Sequence, residues 1–234
     1  MEKHILLHVC RLGAVAVAFW LSLSMPACKK PAEQTIVSQP AEKRDATLPD
    51  GSKVTLNAQS TLSYSASTWQ KNPEVMLVGE AFFSTKKNKR FFVKSEQGEL
   101  ELINAQANVY ARDQTLEVKC TAGRVQVSNP QGTERVLLAS REQVAVEDGR
   151  MQRRQGLQFF PTWPKGESTF RDAPLSRVLE EIGRQFGKTM LFENVEGTFS
   201  GRFSHKNLEQ TLSAVCQKRQ LHYKVIGDTV RISP

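Results

Sequence analysis

Histidine is scarce in this 234-residue chain: there are four, and none lies between Tyr64 and Ser204. His4 and His8 sit in the first ten residues, so a Ser-His-Asp site would have to use His205 or His222, neither of which stands in a nucleophile context. The G-x-S-x-G, G-x-G-x-x-G, P-loop and H-E-x-x-H patterns are absent too. Cysteine pairs with metal spacing are missing: Cys10 and Cys28 belong to the N-terminal segment, and Cys120 and Cys216 each continue an apolar pattern as small buried hydrophobes do. Glu99 and Glu101 fall on the polar face of an alternating run, where carboxylates are solvated. No catalytic residue, metal site or cofactor is therefore expected. The net charge of +8 is spread along the chain, and a diffuse excess does not point to nucleic acid. The one dense basic cluster, Lys86-Lys-Asn-Lys-Arg90, reads as a charged hairpin tip.

A full membrane span is also lacking. The apolar run Leu12–Ala27 covers roughly 16 residues, short of the ~20 that cross the hydrocarbon core comfortably. With Lys3 and Arg11 before it, the run has the form of an export signal. Its end, Leu23-Ser-Met-Pro-Ala-Cys28, resembles the bacterial lipobox, in which a small residue precedes a cysteine that receives diacylglycerol. A lipoprotein anchored at Cys28 and an uncleaved anchor helix starting near Ile5 are the two leading readings, with soluble secretion a third. In both leading cases the bulk of the chain lies outside the cytoplasm. Residues 1–27 are then a leader. Residues 28–47, rich in Pro and charge, read as a linker that cannot order itself by burying apolar surface.

From Leu48 the texture changes. Period-two runs such as Glu99-Leu-Glu-Leu-Ile103, Leu116-Glu-Val-Lys-Cys120, Arg124-Val-Gln-Val-Ser128 and Glu142-Gln-Val-Ala-Val-Glu147 are separated by turn signals at Pro49-Asp-Gly51, Asn129-Pro-Gln-Gly132 and Asp148-Gly149. This predicts an all-β domain over 48–154, a sandwich or a solenoid-like roll packing one face of each strand. After Gln155 the period becomes helical. Asp172 is the expected N-cap of a helix carrying Leu175, Val178, Leu179, Ile182 and Phe186, stopped by Gly187. A second helix runs from Asn207 to about Arg219. A shift of 33 residues superposes Phe170 on Phe203, Leu175 on Leu208 and Leu179 on Leu212, so residues 162–234 read as a small β-α-β-β-α-β-β domain. The expected fold class is mainly β plus α+β.

Leu48-Pro-Asp-Gly-Ser-Lys-Val-Thr-Leu-Asn-Ala-Gln-Ser-Thr-Leu-Ser-Tyr64, then Val75-Met-Leu-Val-Gly-Glu-Ala-Phe-Phe83, Phe92-Val93 and Ala122-Gly-Arg-Val125, resembles the periplasmic domain of FecR-type regulators of envelope signalling. The stretch Thr162-Trp-Pro-Lys-Gly-Glu-Ser-Thr-Phe-Arg-Asp-Ala-Pro-Leu-Ser-Arg-Val-Leu179 and Phe199-Ser-Gly-Arg-Phe203 resemble the family's C-terminal module, which is like the short secretin/TonB domain. The chain departs from the pattern at Ile103-Asn-Ala-Gln-Ala-Asn-Val109, where the family carries Leu-Gly-Thr-x-Phe-x-Val. The resemblance implies signal relay: the periplasmic signalling domain of a TonB-dependent transporter docks on the C-terminal module, and the output reaches an extracytoplasmic-function sigma factor. Direct sigma-factor contact is not expected here. Only Met1–Arg11 precede the apolar run, too few for an interface of about 800 Å² per partner. The rival reading is an envelope scaffold, structural or carbohydrate-related, built from the same modules. For partner binding, the sequence suggests Gly197-Thr-Phe-Ser-Gly-Arg-Phe203 as a sheet edge, with Thr198, Ser200 and Arg202 outward and Phe199 and Phe203 toward the core.

Overall fold

In the computed structural model, the described residues are 32–154 and 160–234; the expected leader and its Cys28 lie outside them. The period-two runs become strands: β1 (Glu33–Ser38), β2 (Arg44–Thr47), β3 (Lys53–Leu56), β4 (Ser60–Ser65), β5 (Glu74–Ser84), β6 (Arg90–Ser95), β7 (Gly98–Arg112), β8 (Thr115–Ser128), β9 (Arg135–Ala139), β10 (Glu142–Glu147) and β11 (Arg150–Arg154). All belong to one 11-stranded sheet.

The sheet rolls over its own apolar face because its long strands change partners midway. β7 pairs with β6 through Gly98–Ile103 and with β5 through Gln106–Ala111. β8 gives residues 115–120 to β10 and 124–128 to β9. The bend between the halves needs glycine: Gly123 has φ +75, and a Cβ there would stand 2.1 Å from the Asn104 carbonyl oxygen. The partner change in β5 is likewise made at Gly79 (φ +116), where a Cβ would meet Ser60. Inside the roll lies one cluster that includes Leu62, Leu77, Phe83, Phe91, Leu100, Leu102, Leu116 and Val118. Burying each such side chain contributes roughly 1.5–3 kcal/mol. Trp69, edge-on to Tyr64 and against Phe91, closes one side as a core anchor.

The structure corrects the linker reading. Residues 33–38 pair antiparallel with all of β4, and residues 44–47 pair with β3. The segment has few apolar residues, but Ile36 and Ala46 pack against the core, and the rest of its order comes from ladder hydrogen bonds and from Ser38, whose hydroxyl donates to the carbonyls of Asn57 and Ser60. Composition alone does not report backbone pairing with a distant strand.

The C-terminal half follows the expected order: β12 (Glu167–Pro174), α1 (Leu175–Phe186), β13 (Thr189–Phe192), β14 (Thr198–Ser204), α2 (Leu208–Gln217), β15 (His222–Ile226) and β16 (Thr229–Ser233). β12 and β14 form a two-stranded antiparallel sheet, while β13, β16 and β15 form a three-stranded one. The helices share one cluster with both sheets, Leu179, Ile182, Leu212 and Val215 meeting Phe199, Phe203, Val230 and Ile232. Asn207 caps α2 by accepting from the Gln210 N–H, and Gly187 ends α1 in the left-handed region. Asp172 is not the N-cap of α1. It sits at positive φ in a bulge of β12 between Phe170 and Ala173, and Pro174 occupies the cap position. The fold is therefore mainly β with an α+β module, and the two parts keep separate apolar clusters. Among the described residues no helix is long and apolar enough to cross a membrane.

Candidate functional site

With the apolar stripe of α1 committed to its own module, elementary amphipathicity would leave the opposite stripe in water. Instead Glu181, Arg184 and Gln185 are buried, at 5%, 8% and 6% exposure, against the β domain. Glu181 and Gln185 reach Asn57 in the loop between β3 and β4, while Arg184 bonds the carboxylates of its own helix. The Asn57 side-chain amide nitrogen donates to Glu80 Oε2 at 2.8 Å and to Glu181 Oε1 at 3.3 Å. Its oxygen accepts from Gln185 Nε2 at 2.7 Å. Glu80 Oε1 accepts from Asn108 Nδ2 at 2.8 Å, and Asn108 Oδ1 accepts from the indole N–H of Trp163 at 2.9 Å. Trp163 thus anchors the connection between the domains. Arg184 Nε donates to Glu181 Oε2 at 2.9 Å.

At the flank of this cluster Arg177 of α1 makes a two-pronged bond with Glu117 of β8, at 2.5 and 3.1 Å, with its guanidinium 4.0 Å over the Tyr110 ring. The turn after β1 seals the opposite side: the Ala41 N–H donates to the Arg184 carbonyl, and Lys43 Nζ donates to the Trp163 carbonyl. One polar boundary therefore joins three parts of the chain, the first strand and its turn, the roll and the C-terminal module.

Its electrostatics are asymmetric. Burial, and then the negative charge of Glu181, push the Glu80 carboxyl above its ordinary pKa. Burial works the same way on Glu181, but the Arg184 guanidinium and its hydrogen bonds hold that carboxyl below the ordinary value. Three guanidinium nitrogens at the boundary, Arg112 Nε, Arg177 Nε and Arg184 Nη2, are buried without a hydrogen-bond partner among the described residues. Such groups carry a desolvation cost that an apolar interface would not.

Sequence reasoning read Asn57, Ser60, Glu80 and Ser168 only as members of fold patterns. The structure brings them together: Ser60 bonds the backbone of Glu80 in both directions, and Ser168 Oγ lies 3.3 Å from Glu181 and 2.9 Å from His205 Nε2. Asn57 and Glu80 have buried neighbours on both sides, whereas Ser60 and Ser168 do not, so no shared residue pattern marked the four as a group. In the Ser168–His205 pair the acid Glu181 touches the serine rather than the imidazole, and His205 Nδ1 has no hydrogen-bond partner among the described residues, which is not the order of a Ser-His-Asp triad. Burial holds His205 neutral, with its pKa pushed down to about 4. Cys120 and Cys216 are free and buried in different clusters, and burial pushes each thiol up to about 11. Among the described residues no group of side chains could hold a metal ion.

The residues singled out for partner binding lie together on the outer side of β14. Thr198, Ser200 and Arg202 are exposed, while Phe199 and Phe203 are buried at 3% and 5%. Among the described residues β14 pairs on one side only, with β12. Cys28 lies outside the described residues.

Comparison with known proteins places this arrangement. The profile described as "FecR protein" matches residues 34–126, and the one described as "FecR, C-terminal" matches residues 167–232. Two crystal structures of a proposed anti-sigma factor from Parabacteroides distasonis ATCC 8503 share the fold, with TM-scores of 0.79 and 0.78. Each is 24% identical, and each alignment covers 86% of this chain and 98% of the other. No curated protein matches the sequence.

Proposed function

Since the chain belongs to the FecR family, we propose that it relays a signal across the bacterial envelope by protein–protein binding. In this reading the periplasmic signalling domain of a TonB-dependent outer-membrane transporter engages the C-terminal module, and the output feeds an extracytoplasmic-function sigma factor pathway. The chain acts from the periplasmic side, held to a membrane through lipid on Cys28 or through an N-terminal helix. It needs no catalytic residue for this.

The observation that carries the reading is the polar boundary on α1. Two domains with separate apolar clusters meet through charged and amide groups, several of them incompletely bonded. Separating such a boundary returns those groups to water, which lowers the cost of parting relative to an apolar interface. A relay needs two parts whose relation can change when a partner binds. The test is affinity capture of the full chain from envelope extracts, with mass spectrometry of what accompanies it. Recovery of a TonB-dependent transporter supports relay. Recovery of cell-wall components alone overturns it in favour of a scaffold.

A further inference from the structure

We propose that the free edge of β14 is the docking strand of the C-terminal module, and that it takes an extended, acidic segment of the partner as a third strand. This rests on the relay reading for the partner's identity, but the surface itself is argued from backbone geometry.

Three hydrogen bonds fix which way the backbone of β14 points. The His205 N–H donates to the Gly166 carbonyl, and the Gly197 carbonyl accepts from the Leu175 N–H, so odd-numbered residues turn their backbone groups toward β12. The Ser204 carbonyl accepts instead from Thr211 Oγ1 on α2, so even-numbered residues turn theirs away. The bulge opposite does not disturb this, because it lies wholly in β12, and Ser200 spans it by accepting the Asp172 N–H on its side-chain oxygen. Thr198, Ser200 and Arg202 therefore present three N–H and three C=O groups outward, with no partner among the described residues. Such a row is a template for an added strand.

Charge selects the occupant. Arg202 projects from the strand itself and is exposed. Lys218 Nζ lies 5.4 Å from the Phe199 ring centre and 3.5 Å from where a Cβ on Gly201 would stand. The Arg219 guanidinium lies 3.6 Å from the corresponding point at Gly197. At Gly201 the Phe199 ring, 2.8 Å from where a Cβ would stand, fills the space with Lys218 beside it, and at Gly197 the Arg219 guanidinium lines it. Of the acids, Glu196 precedes the strand and Asp172 lies across the bulge next to exposed Arg171, so Arg202, Lys218 and Arg219 leave the edge net positive. A strand with acidic side chains is favoured over a basic one, and attraction at this rim would speed its approach.

The test is hydrogen exchange on the full chain, read residue by residue, with a short blocked peptide alternating glutamate and valine and with its lysine counterpart. In the free chain, amides of Thr198, Ser200 and Arg202 exchange fast, while those of Phe199, Gly201 and Phe203 are slow. The glutamate peptide slows the fast set and the lysine peptide does not. Ser200→Pro removes an outward N–H and frees the exposed Asp172 N–H to water, neither of which belongs to the ladder, so the fold is kept by circular dichroism and the glutamate peptide is lost. Arg202→Glu combined with Lys218→Glu reverses the preference, and this variant decides the matter if Ser200→Pro fails to fold. Slow exchange at all six amides in the free chain, or equal binding of the two peptides, overturns the proposal. Capture of no transporter would sink the relay reading while leaving these peptide results standing.

Discussion

Removing the Arg177–Glu117 pair should loosen the boundary between roll and module by a measurable and separable amount. The two prongs are 2.5 and 3.1 Å long, with side-chain exposures of 24% for Arg177 and 14% for Glu117. At about 4 Å between charge centres and an effective dielectric near 20, the attraction is about 4 kcal/mol. Arg154, 3.2 Å from the same carboxylate, already satisfies part of it and remains after the substitution. Ordering two side chains takes a further share. The coupling energy in a double-mutant cycle of Arg177→Ala and Glu117→Ala should then be about 2–3 kcal/mol. Arg177→Lys should recover less than half of it, since an ammonium neither forks onto a carboxylate nor stacks as flatly on Tyr110. Urea unfolding followed by tryptophan fluorescence reads both sides, because Trp163 sits at the boundary and Trp69 in the roll. In the double variant the Trp163 signal should move to lower urea than the Trp69 signal. A coupling below about 0.5 kcal/mol, in the range of exposed surface pairs, would refute the claim that this pair helps hold the two domains together.

Leu179→Ala in the fully buried centre of α1 should cost about 2–5 kcal/mol in the same urea experiment. His205, whose pKa is held down to about 4 mainly by burial, binds its proton less readily folded than unfolded. Its contribution to stability is therefore complete above pH 6.5 and is lost as pH falls toward 4, so His205→Gln should flatten that part of the stability profile. Cys28→Ala should release the protein from membranes or leave an unprocessed precursor, read by fractionation and intact mass; an unmodified N-terminus at Met1 in the parent protein would reject lipid anchoring.

Sequence periodicity carried the fold far because most elements bury one face only. Leu100 and Leu102 alternate with Glu99 and Glu101 in β7, and Leu175, Val178, Leu179 and Ile182 recur at helical spacing. Three things escaped it. Residues 33–38 are ordered by backbone pairing with β4 together with a single apolar contact, Ile36 on the core, too little to stand out as a periodic pattern. Asp172 satisfies the side-chain rule for a cap, yet the bulge in β12 places Pro174 at that position. The polar face of α1 reads as solvated because Glu181, Arg184 and Gln185 are hydrophilic, and only tertiary structure shows that Asn57, Asn108 and Trp163 complete a buried network around it. The outward placement of Thr198, Ser200 and Arg202 was legible from alternation alone, whereas the direction of their backbone groups needed the bonds at Gly197, Ser204 and His205.

The pairing of the first strand also sets a mechanical order. Load applied from the N-terminal side enters at Glu33, opposite Ser65, and runs along six consecutive pairs before it reaches Ser38. Only beyond them lie Ala41 and Lys43, whose bonds to Arg184 and to the Trp163 carbonyl hold the end of α1 and the interdomain connection. Tension would thus have to strip β1 from β4 before it touched the boundary, making that strand a mechanical fuse upstream of it. Shortening β1 from its N-terminal end should lower the force at which the two domains part without altering the contacts between them.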